Sequence, residues 1–506
     1  MLFERKKPLD LILETAQKRS LTRQLGAFDL TMLGIGAVIG TGIFVLTAVA
    51  ANKAGPGMMF SFVIAGIVCA LTALIYSEIA AMVPVSGSAY TYSYAVLGEV
   101  IAWMVGWALI LEYAVAAGAV SVGWSGYANG FLHAHGIGLP VALTAGPYDT
   151  ITMPDGTTAQ GSFNLIAFLL ALLVTWLLAI GTSKSAKVTA VLVLIKIAAL
   201  SAFVILAFPS VDNANFVPLL PNGWGTPMSG VGVLGAAASI FFAYVGFDAV
   251  STAAEETRNP NRNIPIGLIG SLAICTIFYL LVAYTAVGAM GAQPGGTLSQ
   301  SKEPLAFVLR EIGWPRIGDL VAGAAILALP SVVLMMMFGQ TRILFTMSRD
   351  GLLPEKLSTV HPKYHTPFVV TWLTGIFVAL FAALFPVGAL ADISNSGTLF
   401  AFFMVAAGVM ILRRVDPGRV RPFRTPLIWI VGPLAMGGCL LLFFSLGWYT
   451  IKLFLIWAAI GLVVYFLYAR RRSHLAPGNE ALLHAHANDP KLEPDPLVQE
   501  GPNAGP

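Results

Sequence analysis

The chain has 506 residues, of which 57% are hydrophobic and only 11% are charged. A typical soluble domain has about 25% charged residues, so this composition excludes an ordinary soluble enzyme and also excludes disorder over most of the chain. The formal net charge of +4 requires no nucleic-acid partner, because the basic residues flank apolar runs, where membrane topology accounts for them.

Twelve apolar runs are long enough to cross a bilayer as helices, which takes about 20 residues. Their hydrophobicity is continuous rather than alternating, which argues against strands. The predicted fold class is therefore an all-α integral membrane protein with twelve transmembrane helices. The predicted spans are 28–51, 57–82, 98–128, 163–181, 186–208, 231–254, 265–291, 318–348, 366–386, 390–412, 426–446 and 449–470.

The basic residues are distributed unequally between the two sides. With the N-terminus inside, 22 of the 29 Lys and Arg residues fall in inner segments and five in outer loops, as the positive-inside rule requires. We therefore expect a multi-pass protein of the plasma (inner) membrane with both termini in the cytoplasm. The predicted regions are a cytoplasmic lead at 1–27, spans one to five at 28–208, spans six to ten at 231–412, the last two spans at 426–470 and a disordered tail at 473–506.

Glycines interrupt the first span. Gly34, Gly36, Gly40 and Gly42 fall within nine residues, and each weakens a helix by about 1 kcal/mol relative to alanine. Close packing through small residues is one interpretation. The other is an unwound segment whose backbone N–H and C=O groups bind a ligand, as in transporters with broken helices. Glycine content alone does not decide between them.

The sixth span contains a second irregularity, since Gly246 and Asp248 lie within an apolar run. The first and sixth spans are the positions that a five-plus-five inverted repeat makes equivalent. The two halves show no convincing residue-level similarity, so the predicted repeat depends on hydropathy and on this placement.

Five segments together resemble one transporter family, and they are 25–44, 84–92, 106–113, 242–260 and 339–354. The first segment resembles the opening of permeases of the amino acid–polyamine–organocation superfamily, and the later segments resemble its cationic amino acid transporter branch, including bacterial members. The resemblance covers about residues 20–470 and implies the leucine-transporter fold, with helices 1 and 6 unwound at the midplane and transport by alternating access.

The same resemblance implies where an amino acid would bind. In the family's fold, amide groups at the break of helix 1 hold the α-carboxylate, and carbonyl groups at both breaks accept from the α-ammonium group. Phe242 also matches an aromatic gate over the substrate, although a core or lipid-facing phenylalanine is the alternative interpretation. The predicted substrate-binding positions are Ile39, Gly40, Thr41, Gly42, Ile43, Phe242, Ala243 and Val245.

Lys196 lies in the apolar fifth span, nine residues beyond Lys187 and thus about 14 Å along a helix. A charge at this depth costs about 3 kcal/mol and usually serves a site. Snorkelling to the inner surface is the alternative. Burial favours the neutral amine, and the resemblance matches Lys196 to a lysine that replaces sodium in some proton-coupled members. We therefore predict proton coupling without sodium, with Glu112 of the third span as a partner, a second proton acceptor or a structural hydrogen-bond acceptor.

The predicted substrate is a small or medium neutral amino acid. The eighth span offers Pro330, Ser331 and Leu334 at helical spacing, and the resemblance places this face beside the substrate side chain. It carries no carboxylate, and burying an unpaired cation there would be costly. Glu112 would reverse this if it pointed into the pocket. Cationic amino acid transport, amino acid exchange and an amino-acid-sensing receptor stay as alternatives.

No nucleophile–base pair or metal cluster is present in the motifs, so we expect no enzyme activity, no metal and no cofactor. The expected partners are the amino acid, protons and the lipid bilayer. The sequence does not indicate whether a small membrane subunit also binds.

Overall fold

The computed structural model describes Arg5, Lys7 and residues 25–83, 88–152, 158–181, 186–248, 250, 257–364 and 366–476. Most of the predicted lead, the tail beyond residue 476 and three pieces of the family-like segments, 84–87, 249 and 251–256, lie outside the described residues.

Helices account for most of the described chain. In chain order the α-helices are α1 (Ala27–Val38), α2 (Thr41–Phe44), α3 (Leu46–Ala54), α4 (Met58–Met82), α5 (Ser88–Val96), α6 (Glu99–Ala134), α7 (Leu165–Ala179), α8 (Ala186–Ala207), α9 (Gly232–Ile240), α10 (Pro260–Met290), α11 (Thr297–Gln300), α12 (Pro304–Glu311), α13 (Pro315–Arg349), α14 (Phe368–Leu384), α15 (Val387–Val415), α16 (Ile428–Ser445), α17 (Trp448–Val464) and α18 (Arg470–Arg472).

In the part of the chain that the structure describes, eight helical stretches are long and apolar enough to cross a membrane. One of them, Leu46–Met82, joins α3 to α4 through a tight turn at Gly55–Gly57. These stretches confirm the prediction of a helical, multi-pass membrane protein. Shorter apolar helices of 10 to 17 residues are Ala27–Val38, Leu165–Ala179, Gly232–Tyr244 and Phe368–Leu384.

The connection between α6 and α7 corrects the all-α prediction in one detail. It contains a two-stranded antiparallel sheet of β1 (Thr150–Thr152) and β2 (Thr158–Gln160), with Thr150 opposite Gln160. These segments lie outside every apolar run. Their threonines favour strands, so a polar connection of this kind can form a hairpin without altering the helical membrane part.

Several helices begin earlier than hydropathy predicts. Hydropathy places the starts of the seventh and eighth spans at residues 265 and 318, but α10 starts at Pro260 and α13 at Pro315. Proline is favoured at the first position of a helix, where its missing N–H would have no helical acceptor. Hydropathy detects the apolar part of a helix and not the polar turns that extend it.

A proline inside α13 determines how that helix meets α6. Pro330 cannot donate to the carbonyl group of Ile326, four residues earlier. The indole Nε1 of Trp124 on α6 donates to this carbonyl oxygen instead, over 2.8 Å. A membrane interior offers no water for such groups, so Trp124 satisfies the carbonyl and holds α13 against α6.

Tryptophans also join α6 to α17. Trp107 and Trp457 each donate an indole N–H to the other's carbonyl oxygen over 2.9 Å, and their rings stack with centroids 4.6 Å apart. Gly461 allows this approach, since a Cβ there would lie 2.4 Å from the Trp107 ring. The central helix α6 is thus anchored on two sides, beside the broken helices described next.

Candidate functional site

The first span breaks between α1 and α2. Ile39 has φ −71° and ψ 98°, and Gly40 has φ −147° and ψ −148°, so the helix stops at Val38 and resumes at Thr41. Within the described residues, no backbone acceptor is recorded for the amide groups of Gly40, Thr41 and Gly42. The first amides of a helix have no acceptor within it. The break therefore leaves N–H donors that can bind an anion.

The sixth span breaks after α9. A short 3₁₀ turn covers Phe241–Tyr244, and Val245 is extended with φ −62° and ψ 138°. Gly246 follows with φ +111°, which side chains disfavour. A Cβ there would lie 2.9 Å from the Ala37 carbonyl oxygen. Gly246 is therefore required both by its own backbone and by the approach of α1.

Close helix packing explains three of the four glycines of the first span but not Gly40. A Cβ at Gly40 would lie 3.5 Å from Val332, an ordinary contact, so packing does not require glycine there. Packing does explain the other three, where a Cβ would come within 3 Å of a neighbour. These contacts are Gly34 to Ser271 Oγ at 2.5 Å, Gly36 to Val193 Cγ2 at 2.6 Å and Gly42 to Ala243 Cα at 2.2 Å.

Tyr279 of α10 joins the two breaks. Its buried hydroxyl lies 2.9 Å from the Val38 carbonyl oxygen and 2.7 Å from the Ala243 carbonyl oxygen. One hydroxyl proton is shared between these acceptors, and each carbonyl keeps a second lone pair. The backbone segments that would bind a ligand are thus held in a fixed relation to each other.

Two of the predicted carbonyl acceptors of the sixth span already accept a hydrogen bond within the protein. Ala243 accepts from Tyr279, and Phe242 accepts from the amide of Val245 over 3.2 Å. The Phe242 side chain is 5% exposed. Its role as a gate stays a prediction.

The α13 residue recorded against Gly40 is Val332. The predicted Leu334 is two positions further along, about 200° around the helix, and is only partly buried. The two side chains do not share a face of α13. Val332 is therefore a further candidate for contact with the substrate side chain, and the role of Leu334 stays a prediction.

Lys196 lies against the main chain of α1. Its side chain is 1% exposed, and its Nζ donates to the Gly36 carbonyl oxygen over 2.8 Å. This contact argues against snorkelling, because the ammonium group is directed to a buried carbonyl four residues before Gly40.

Glu112 occupies a different environment from Lys196. Its carboxylate faces Asp248 and Thr398, and within the described residues its Oε2 has no hydrogen-bond donor. The neighbouring Tyr113 donates to Asp248 Oδ2 over 3.1 Å. Glu112 thus faces the sixth span and α15, whereas the recorded hydrogen bond of Lys196 goes to α1.

Polar side chains close the bundle at the end of α3. The Nζ of Lys53 lies 2.8 Å from Asp392 Oδ2 and 2.5 Å from Ser239 Oγ. Ser239 also donates to the Asp392 carboxylate. This Lys53 cluster (Lys53, Ser239 and Asp392) connects α3, α9 and α15.

A second polar cluster closes the opposite end, where α6 begins. The fully buried carboxylate of Glu99 accepts from Tyr94 over 3.2 Å, Tyr465 over 2.9 Å and Ser473 over 2.5 Å, and Arg5 Nη1 lies 3.4 Å away. We call these five residues the Glu99 cluster. It brings Arg5 and Ser473, which are 468 positions apart in the chain, to a single carboxylate.

The whole membrane part of the chain matches a known family. The model of the family described as amino acid permease covers residues 25–469. The chain belongs to this family. The permease is therefore an amino acid transporter and not an enzyme, and the resemblance drawn from the sequence motifs is confirmed.

Relatives of the permease are named for different substrates. It is 47% identical over 474 residues to the branched-chain amino acid permease of Bacillus subtilis, covering 94% of this chain and 99% of that protein. It is 42% identical over 472 residues to the methylthioribose transporter of the same organism, covering 93% and 98%. It is 36% identical over 401 residues to the chloroplastic cationic amino acid transporter 9 of Arabidopsis thaliana, covering 78% and 68%.

Sequence reasoning missed four residues of the permease that the structure brings forward. Tyr279 and Val332 are ordinary residues of apolar helices and carry no local signal. Hydropathy places Lys53 in a loop, although it lies on α3. Asp392 had a usable signal, because a carboxylate within an apolar span is by default a functional candidate.

Proposed function

We propose that the permease is a proton-coupled symporter of neutral L-amino acids that works by alternating access. The contact between Lys196 and the Gly36 carbonyl carries this proposal. A buried amine beside the broken helix can take up and release a proton as that helix moves, and a protonated lysine there supplies the positive charge that a sodium ion would otherwise provide.

The free amides of Gly40, Thr41 and Gly42 support an amino acid as the cargo. A carboxylate is stabilised by first-turn amides and by the helix dipole. The second lone pairs at the Val38 and Ala243 carbonyl oxygens, together with the Ile39 carbonyl, are suitable acceptors for an ammonium group. Substrate binding would then bridge both breaks.

The apolar contact at Gly40 supports a neutral side chain. Val332 is the α13 side chain that borders the space beside Gly40, and an aliphatic group there favours an aliphatic substrate. The carboxylate of Glu112 faces Asp248 and Thr398, and Asp248 accepts a hydrogen bond from Tyr113. Together with the name of the relative that is 47% identical, this favours leucine, isoleucine and valine.

Methylthioribose is a second candidate because a relative of 42% identity carries that name. A thiosugar has neither carboxylate nor ammonium group. It would leave the free amides at the first break without an anion, so the site geometry favours the amino acid.

The architecture proposed with this function is twelve spans in a five-plus-five inverted repeat. The broken first and sixth spans, the eight long apolar stretches and the shorter apolar helices support it. The contacts of the Lys53 cluster and of the Glu99 cluster are both formed, as expected for an occluded state of the alternating-access cycle. The distribution of basic residues supports cytoplasmic termini in the plasma membrane, with the Glu99 cluster on the cytoplasmic side.

Uptake into proteoliposomes tests the proposal. The wild type would be compared with Lys196→Ala and with Lys452→Ala, a control that removes an exposed lysine of α17. Labelled leucine, alanine, arginine and methylthioribose would each be offered with an imposed proton gradient, with and without sodium.

We expect the gradient to drive leucine uptake in the wild type and the Lys452 control, without sodium, and Lys196→Ala to lose this response. A sodium requirement would contradict the role of Lys196. Dominant arginine or methylthioribose uptake would contradict the substrate class, and binding without uptake would favour a receptor.

A further inference from the structure

A basic cleft lies at the end of α17, outside the transport site. It has a volume of about 350 Å³ and is lined by Arg5, Phe466, Arg470, Arg471 and Ala476. Three arginines therefore line one concave surface. Arginine is well suited to phosphate, because its planar fork donates two parallel hydrogen bonds.

The positive charge of this cleft is only partly balanced by the described residues, because Arg5 alone of its three arginines has an ion pair recorded there, with Glu99. Both recorded hydrogen bonds of Arg5 use Nη1, one to Glu99 and one to the Arg470 carbonyl oxygen. Glu99 already accepts from three hydroxyl groups. Arg470 and Arg471 are exposed, and no ion pair is recorded for either within the described part of the chain. Donors of Arg5 and both neighbouring guanidinium groups thus remain available to an anion.

The wall below the arginines is apolar and exposed. Phe466, Leu467 and Val463 are 42%, 69% and 56% exposed, as expected for a helix face in contact with lipid. Phe466 and Leu467 belong to a π-helical turn over Tyr465–Ala469, which directly precedes Arg470. Such turns often occur at functional sites, and here the turn lies where the apolar wall meets the basic cleft.

We propose that this cleft binds the phosphate group of an anionic phospholipid, whose acyl chains lie along the exposed side chains of Val463, Phe466 and Leu467. A phosphate group could also come from a soluble ion. The adjoining apolar wall favours the lipid, because a soluble anion gains nothing from Phe466 and Leu467. Juxtamembrane arginines are attracted to anionic headgroups. This proposal does not depend on the transported substrate.

Native mass spectrometry of the purified full chain tests the proposal. The detergent would contain equal amounts of phosphatidylglycerol and phosphatidylcholine with the same acyl chains. The cleft variant is Arg470→Gln/Arg471→Gln. The matched control is Arg414→Gln/Arg424→Gln, which removes two other exposed arginines outside the cleft. Equal melting temperatures would establish that each variant is folded.

We expect the wild type and the control to retain phosphatidylglycerol in preference to phosphatidylcholine, and the cleft variant to lose at least about tenfold of that preference. Inorganic phosphate, added to the wild type, should not displace the lipid. Equal retention of both lipids by the wild type, or an equal loss in the control, would overturn the proposal. Displacement by inorganic phosphate would overturn the assignment to a lipid.

Discussion

The Nζ of Lys53 lies 2.8 Å from Oδ2 of Asp392, and this ion pair joins helices α3 and α15 across 339 positions of the chain. Both side chains are less than one-fifth exposed. We predict that a double-mutant cycle of Lys53→Met and Asp392→Asn yields a coupling free energy of about 1–3 kcal/mol, measured by unfolding in detergent. The single variants should also slow transport, because the cluster closes one end of the permease.

The pair of Lys302 and Asp149 is the matched comparison. Its atoms are as close, at 2.7 Å, but Lys302 is 41% exposed. Solvent screening should keep its coupling below about 1 kcal/mol. Equal coupling free energies in both cycles would contradict the expectation that the lower exposure of Lys53 strengthens its ion pair.

Tyr279→Phe removes only the hydroxyl that joins the two breaks. We predict a slower transport rate, by about two- to tenfold, since one hydrogen bond contributes about 0.5–1.5 kcal/mol. The purified amount should be unchanged, because the ring still fills its place. Initial-rate uptake measures this effect. Tyr284→Phe on the same helix is the control, because Tyr284 is 36% exposed; an equal loss there would contradict the role of Tyr279.

The two glycines beside the first break should respond differently to alanine. At Gly40 a Cβ has room, so Gly40→Ala should keep its melting temperature and lose substrate affinity. At Gly42 a Cβ would lie 2.2 Å from the Ala243 Cα, so Gly42→Ala should lower the melting temperature, because backbone must move. Thermal unfolding and substrate binding would be measured on both. Full substrate affinity in Gly40→Ala would remove Gly40 from the binding site.

We predict that the stability of the permease depends on pH through Glu303, which precedes α12. Burial raises the pKa of Glu303 from 4.5 to about 7, against the opposing effect of the hydrogen bond from Arg310. The folded chain therefore binds this proton more tightly than the unfolded chain. The resulting stabilisation is complete below about pH 4.5 and is lost as the pH rises through 7.

We expect Glu303→Gln to show a smaller fall in melting temperature between pH 5 and pH 8 than the wild type. Glu311→Gln, at an exposed position at the end of α12, should behave as the wild type does. An unchanged pH profile in Glu303→Gln would contradict the assignment.

The amino-acid sequence is sufficient to locate the irregular parts of the site. Glycines within apolar spans are costly, so Gly40 and Gly246 mark the first and sixth spans as candidates for breaks, although the glycines alone left close packing as the other interpretation. Lys196 stands out in the same way, because a charged side chain within an apolar span is energetically costly and usually serves a functional site. The breaks are found in the structure, and the role of Lys196 stays a prediction; both stand out in the sequence because the membrane makes every local departure from an apolar helix expensive.

What the sequence could not provide is the rotational position of each helix against its neighbours. Leu334 and Val332 are both apolar and two residues apart, and only the packing of α13 determines which one meets Gly40. The hydrogen bonds of Tyr279 could not be predicted either, because its two acceptors belong to segments 36 and 241 positions away in the chain. A pattern along one helix carries no information about such partners.

The Glu99 cluster has a consequence for the order in which the protein is made. Glu99 is synthesised early, whereas two of its donors, Tyr465 and Ser473, are among the last described residues. Until they arrive, only Arg5 and Tyr94 of the cluster are available to this carboxylate. The Glu99 cluster can therefore be completed only when the last helix is in place.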